Sequence, residues 1–332
     1  MENKLVARAG YPIWSLDTQG IKRSLSLSNF KAIIKALKAT SGARKMLKSF
    51  LPDAVIGTGG YVCYPVVKAA SKMGIFTALH ESNSVPGLAV RMLKKRADKI
   101  FVGFEGCKKR LSVGNRCIYT GNPIKSDFIA VTKDEAREKL GVIGKYRYVI
   151  VSFGGSLGAK TVNDIALKTM VKLSSKRSDV LHVHSCGRGC SAEFFTEFKR
   201  LGLEGCKNIK ASEYIYDMPL YLSAADAVIC RSGAMTLSEI AAAGAPSVLV
   251  PSPNVTANHQ YENALEYSNV GAAFAVDEKE YGSTDKAFEY VSALITEPSL
   301  RKKMSENVRK LACIDCAEQI VKEIVSSIKK ER

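Results

Sequence analysis

Twice along this chain a short apolar run empties into a cluster of glycines and then into a stretch of helical periodicity. Asp53-Ala-Val-Ile56 leads into Gly57-Thr58-Gly59-Gly60-Tyr61, followed by a helical stretch over Pro65–Met73 with proline in its first turn. Tyr146–Phe153 leads into Gly154-Gly155-Ser156-Leu157-Gly158-Ala159 and a helix reaching about Leu173. A further strand is expected over Ile75–Leu79, opening into a loop at His80-Glu81-Ser82-Asn83. Others are expected near Val180–His184, Ala227–Cys230 and Ser247–Pro251. Short apolar strands alternating with helices specify parallel sheets covered on both faces.

The pattern breaks between Gly121-Asn-Pro-Ile-Lys125 and about Lys145, which marks a domain junction. A chain of 332 residues is also too long for one compact core. The expected fold is therefore α/β, with two doubly wound domains facing across a cleft, residues 1–127 and 128–332. Beyond Thr284 the chain reads as mostly helical. Ligands of such sheets bind at the carboxyl ends of the strands, which puts the expected site in the cleft.

Hydrophobic content of 46% and charged content of 24% exclude disordered and fibrous classes. Apolar runs such as Tyr148–Phe153 are strand-sized, so no membrane span is expected. Met1-Glu2-Asn3-Lys4 begins nothing that reads as a signal peptide. Nine scattered cysteines in a chain this large read as reduced thiols. Cys313-Ile-Asp-Cys316 has metal-ligand spacing but no second pair to complete four ligands. His182 and His184 share one face of a strand with no carboxylate or thiol evidently paired to them, and neither a metal nor a cofactor is expected.

The charge is concentrated. Residues 1–125 hold 22 Lys and Arg against 6 Asp and Glu, which accounts for nearly all of the net +17. No acid lies between Asp17 and Asp53, where Lys22, Arg23, Lys31, Lys35, Lys38, Arg44, Lys45 and Lys48 stand. Leu88-Ala-Val-Arg-Met-Leu-Lys-Lys-Arg96 is a second basic cluster with apolar residues interleaved. A basic, amphipathic half suits nucleic acid, an anionic membrane surface or an anionic substrate. Few aromatics accompany the basic residues and no nucleic-acid motif is present, so nucleic acid is not an expected partner.

The segment from Asp226 to Asn263 carries the chemistry. Strand Ala227–Cys230 turns through Ser232-Gly233 into helix Ala234–Ala243, which Gly244 closes. Small residues at the helix start leave room for a diphosphate at its N-terminus, and Thr236 and Ser238 offer hydroxyls. Glu239 can accept both hydroxyls of a ribose, as an acid does in dinucleotide-binding folds. It also suits a first-turn acid that merely complements the helix dipole. The Gly154–Gly158 turn fits a second phosphate contact, to which Ser156 adds a hydroxyl. Past strand Ser247–Pro251, Gln260 sits where it can bond a sugar hydroxyl.

These segments resemble the MurG family, peripheral membrane glycosyltransferases that add N-acetylglucosamine to lipid I to make lipid II. The resemblance spans nearly the whole chain. It is carried by Gly57-Thr-Gly-Gly-Tyr61, His80-Glu-Ser-Asn83, Gly121-Asn-Pro123, Gly154–Ala159, Cys230–Gly244 and Gln260-Tyr-Glu-Asn-Ala264. It implies a GT-B fold, with a donor domain whose last helix, about 317–330, packs back on an acceptor domain. The donor it implies is UDP-N-acetylglucosamine, bound by Asn83, Lys125, Ser156, Ile215, Ala234, Met235, Thr236, Leu237, Ser238, Glu239 and Gln260. Ile215 would lie beside the uracil and Glu239 would hold the ribose. Lys125 stands where the family usually carries Arg for the donor phosphates, and lacks its bidentate fork.

Gly59, Gly60 and Tyr61 would form an acceptor diphosphate loop. The implied acceptor is lipid I, met at the cytoplasmic face of the membrane through the basic N-terminal domain. Members of the family also begin with a strand, a glycine-rich loop carrying a histidine, a helix and a second strand. Roughly 30–40 residues, the scale of such a unit, are expected to be missing ahead of Met1, and with them the histidine proposed as general base.

The implied reaction is a metal-independent, inverting transfer. A base must take the acceptor's hydroxyl proton. His80 and Glu81 are the candidates within the chain, and loop structure is the other role open to them. Two alternatives stand beside this enzyme: an inactive remnant that still binds UDP-sugar or membrane, and a UDP-sugar epimerase of the same fold, which would need acid/base carboxylates in the cleft.

Overall fold

The computed structural model describes residues 6–18 and 27–331, with no side-chain detail for 27–34, 36, 37, 330 and 331. In the first half, α1 (Leu27–Phe50) precedes β1 (Ala54–Gly57), α2 (Gly60–Lys72), β2 (Phe76–Glu81), α3 (Leu88–Leu93), β3 (Lys99–Val102), α4 (Glu105–Leu111) and β4 (Cys117–Tyr119). These strands form one parallel sheet in the order β1-β2-β3-β4. Alternate residues face opposite sides. Leu79, Ile100 and Val102 join a core with Val67, Val90 and Leu93 of the covering helices. Ala78 and Phe101 point the other way.

In the second half, α5 (Lys133–Lys139), β5 (Tyr148–Phe153), α6 (Lys160–Lys172), β6 (Val180–Ser185), α7 (Ser191–Arg200), β7 (Ile209–Ser212), α8 (Met218–Ala224), β8 (Ala227–Cys230), α9 (Ala234–Ala243), β9 (Ser247–Leu249), α10 (His259–Ser268) and β10 (Phe274–Ala275) alternate. Helices α11 (Ser283–Thr296), α12 (Pro298–Arg309) and α13 (Cys316–Glu331) follow. The sheet order is β10-β9-β8-β5-β6-β7, all parallel. Strand order reverses between β5 and β8, and a crevice opens at the carboxyl ends of strands at such a point.

Helix α13 leaves the second domain and lies on the free face of the first sheet. Cys316, Ile320 and Ile324 pack there against Phe76, Ala78 and Phe101. Lys99 and Glu323 pair at 3.3 Å beside this contact. Among the described residues no helix is long and apolar enough to cross a membrane.

Two local expectations are corrected. Helix α2 starts at Gly60 and carries Pro65 inside it rather than in its first turn. Strand β2 runs on through His80 and Glu81, which pair with Phe101 and Val102 of β3, so the loop begins only at Ser82.

Candidate functional site

Strands β5 and β8 are neighbours, with Phe153 opposite Cys230, so the turns that leave them emerge side by side. Each turn starts a helix whose N-cap makes no side-chain capping bond: Ala159 for α6 and Gly233 for α9. The first N–H groups of each helix therefore have no side-chain cap, and each dipole favours an anion at its own N-terminus. Arg231 points away from this spot, held by Glu278 at 2.5 Å and the Val250 carbonyl at 2.9 Å. Asp226 lies at the opposite end of β8. Its buried carboxylate accepts from Val149 N–H and binds Lys133 and Arg137, so it anchors the sheet and takes no part in the crevice.

The glycine-rich turn after β5 is shaped by the turn after β6. A Cβ on Gly187 would stand 2.0 Å from the Gly158 nitrogen, and one on Gly158 would stand 2.2 Å from the Cys186 carbonyl oxygen. Gly189 N–H donates to Leu157 O, and Arg188 N–H to Ser156 O. Ser156 is exposed on this turn.

Along α9 the implied donor contacts separate by burial. Met235 is exposed and Thr236 and Glu239 are half-buried, while Leu237 is wholly buried and Ala234 nearly so. Leu237 thus offers the crevice nothing: its N–H donates to Gly233 O and its carbonyl accepts from the Tyr267 hydroxyl. The Ser238 hydroxyl is also engaged: it donates to Ala234 O at 3.1 Å and accepts from Asn122 Nδ2 at 3.1 Å. Burial pushes the Glu239 carboxyl up to about 7, with the positive charge of Lys125 opposing the shift. Lys125 itself is exposed at the domain junction. Ile215 is part of the domain core with Phe153 and Leu237.

Gln260 has its side-chain oxygen held by Ser252 N–H at 2.9 Å, which leaves its amide NH2 as the free end. Asn83 is gripped from both domains. Its side-chain amide donates to Glu81 and accepts from Asn263, whose own oxygen accepts from Ser84 N–H at 2.9 Å. Asn263 and Asn122 cross the cleft, and neither was singled out among the candidate residues. Their presence in Gln260–Ala264 and Gly121–Pro123 was the available signal. Arg110 makes a third crossing, to Glu262 at 2.6 Å, with Glu266 alongside.

His80 and Glu81, the candidate bases, form the end of β2. Each is 6% exposed. His80 Nε2 is bonded to Gly121 O at 3.1 Å, and burial lowers its proton affinity. Both carboxylate oxygens of Glu81 are spent on the following loop, accepting from Asn83 N–H and Gly87 N–H. They hold the loop from Ser82 to Gly87 in place.

The turn at Gly59, Gly60 and Tyr61 begins α2, with Tyr61 and Val62 exposed. Leu88 and Met92 of α3 are exposed too, with Arg91, Lys95 and Arg96 around them. On α1, Lys38, Arg44, Lys45 and Lys48 face solvent, and Lys35 pairs with Asp17. Lys22, Arg23 and the side chain of Lys31 lie outside the described residues.

His182 and His184 are buried and share one hydroxyl: Ser152 Oγ lies 2.8 Å from His182 Nε2 and 2.7 Å from His184 Nδ1. Among the described residues no three His, Cys, Asp or Glu side chains are grouped to hold a metal ion.

Comparison with known proteins gives a consistent result. Residues 1–102 match the glycosyltransferase family 28 N-terminal domain, and residues 149–322 match the glycosyltransferase family 28 C-terminal domain. A UDP-N-acetylglucosamine–N-acetylmuramyl-(pentapeptide) pyrophosphoryl-undecaprenol N-acetylglucosamine transferase from Acetivibrio thermocellus is 36% identical over 332 residues. That alignment covers 100% of this chain and 88% of the relative. The crystal structure of Acinetobacter baumannii MurG superposes with a TM-score of 0.76 at 27% identity, covering 98% of this chain and 88% of that one. A UDP-GlcNAc 2-epimerase from Neisseria meningitidis, bound to UDP-GlcNAc, shares the fold at 16% identity and a TM-score of 0.67, covering 98% and 88% of the two chains.

Proposed function

This chain belongs to the MurG family, within glycosyltransferase family 28, and from that premise we propose that it carries N-acetylglucosamine from UDP-N-acetylglucosamine to lipid I, forming lipid II. The observation that carries the reading is a pair of helices without side-chain caps, starting from the turns that leave adjacent strands where strand order reverses, with half-buried Glu239 on one of them. The donor diphosphate takes the N–H groups at the start of α9 and of the Gly154–Ala159 turn, with Lys125 adding charge. Ionised Glu239 accepts from the ribose hydroxyls, the uracil lies along the main chain at Ile215, and Gln260 and Asn83 meet the sugar. Ser156 and Thr236 supply hydroxyl contacts.

Transfer then proceeds by attack of the acceptor hydroxyl on the anomeric carbon, with inversion. The charge on the departing UDP is carried by helix N-termini and Lys125, without a metal. The acceptor hydroxyl gives its proton to a general base, for which His80 and Glu81 are the candidates within the chain, both buried and hydrogen-bonded to nearby main chain.

The first domain supplies the membrane contact at the cytoplasmic face. Exposed Leu88 and Met92 among Arg91, Lys95 and Arg96 form an apolar patch in a basic rim. Each basic residue near an anionic surface contributes about 1 kcal/mol, so a cluster holds the protein there without a lipid anchor.

The test has two arms: calorimetric binding of UDP-N-acetylglucosamine, and formation of a lipid-linked disaccharide from a lipid I analogue. Both are expected in an active enzyme. Binding without transfer would identify the chain as a donor-binding remnant, and no binding would overturn the donor-site reading.

A further inference from the structure

We propose that Asn122 is a positioning residue for the donor site: its side-chain amide holds the start of α9 to the first domain through Ser238. The inference rests on the donor-site reading above. Asn122 belongs to the segment joining the two domains and is 1% exposed. Its Nδ2 has two protons, and each is used on a different side of the cleft. One goes to Ser82 O at 3.2 Å, in the loop after β2; the other goes to Ser238 Oγ at 3.1 Å, on α9.

Ser238 passes the constraint on. A hydroxyl has one proton, and Ser238 gives it to Ala234 O at 3.1 Å. The Asn122 proton must therefore be accepted on the hydroxyl oxygen, so Asn122, Ser238 and Ala234 form a directed chain of hydrogen bonds. It spans the first turn of α9, whose N–H groups face the diphosphate, and Ser238 immediately precedes Glu239. Hydrogen bonds in such a chain polarise one another in a buried setting.

Two further observations separate this from ordinary packing. The Asn122 side-chain oxygen is buried without a protein partner, so its two N–H bonds are what hold the amide. Beside Asn122 lies a cavity of about 70 Å³ that Gly103, Tyr119, Ser238 and Tyr267 also line. Gly103 is what admits the amide, since a Cβ there would stand 2.4 Å from Asn122 Oδ1. The two donated protons and the space left by Gly103 together fix the orientation of the Asn122 amide.

The experiment is a double-mutant cycle on the full chain, read as the dissociation constant of UDP by calorimetry, with thermal unfolding recorded for every variant. Asn122→Ala and Ser238→Ala are each expected to weaken UDP binding about tenfold, and the double variant no more than the weaker single one, because both remove the same link. Ser238→Thr, which keeps the hydroxyl, is expected to restore binding to within about threefold. Gly103→Ala, which displaces the amide without removing it, is expected to weaken binding like Asn122→Ala, and serves if the latter fails to fold. Additive losses in the cycle, or unchanged binding in Asn122→Ala, overturn the proposal while leaving the donor site standing. A wild-type chain that does not bind UDP overturns both.

Discussion

Asn263 Nδ2 donates to Asn83 Oδ1 at 3.1 Å, so the sugar end of the proposed donor site is built by both domains at once. The same Asn263 amide accepts from Ser84 N–H and donates to Ser232 O. Asn263→Ala would leave a buried N–H and a buried carbonyl unpaired, each costing about 1–3 kcal/mol. Affinity for UDP-N-acetylglucosamine is expected to fall at least tenfold with little change in far-ultraviolet dichroism. Calorimetry on the variant checks this, and an unchanged dissociation constant contradicts it.

The proposed ribose role of Glu239 makes donor binding depend on pH. Its carboxyl titrates at about 7 because burial disfavours the charge, with Lys125 working the other way. Only the ionised form accepts both ribose hydroxyls. Affinity for UDP is expected to fall as pH drops through 7, by up to about tenfold per unit below it. Glu239→Gln should bind weakly and with a flat profile between pH 6 and 8. Lys125→Ala should move the midpoint upward. A flat wild-type profile over that interval would remove Glu239 from the ribose role.

The buried histidine pair sets acid sensitivity. Burial lowers both His182 and His184 from 6.5 to about 3. Between those values the unfolded chain binds more protons than the folded one, so stability is complete above pH 6.5 and falls as pH drops toward 3. Each histidine contributes a slope of about 1.4 kcal/mol per pH unit in that window. Urea unfolding of the wild type at pH 7.5, 6 and 5 tests the slope, and His184→Leu should reduce it by one site. Equal stability at pH 7.5 and 5 would contradict the assignment.

Gly187 and Gly202 make a matched comparison. Both have positive φ, +78° and +69°, but a Cβ on Gly202 meets nothing within 4 Å, whereas one on Gly187 would collide with the Gly158 backbone. Gly202→Ala should cost about 1–2 kcal/mol from backbone conformation alone. Gly187→Ala should cost more and also weaken UDP binding, because the turn proposed to hold the donor phosphate must shift. Thermal unfolding and UDP titration of both variants check the contrast, which fails if the two behave alike.

The sequence revealed what is local. The two glycine-rich turns, α9 closed by Gly244 and the position of Glu239 all follow from residues adjacent in the chain. What pairs over distance was hidden. His80 and Glu81 looked like loop residues because the pairing that makes them strand comes from β3, some twenty residues on. Ser238 looked like a free hydroxyl because its partner is Asn122, 116 positions away. Asn263 and Asn122 are ordinary amides until the domains meet. A parallel strand buried on both faces also lacks the alternation that would mark its end.

The placement of α13 makes the molecule a closed ring of contacts. The chain crosses from the first sheet to the second at the junction near Lys125, then returns along α13 to bury Ile320 and Ile324 under Phe76 and Phe101. The two lobes are therefore joined by two segments of chain, in addition to the side-chain bonds that cross the cleft. Trimming the tail from the C-terminal side would loosen the lobe at the opposite end of the sequence. A label fixed to α13 would report on the first lobe, although its covalent neighbours belong to the second.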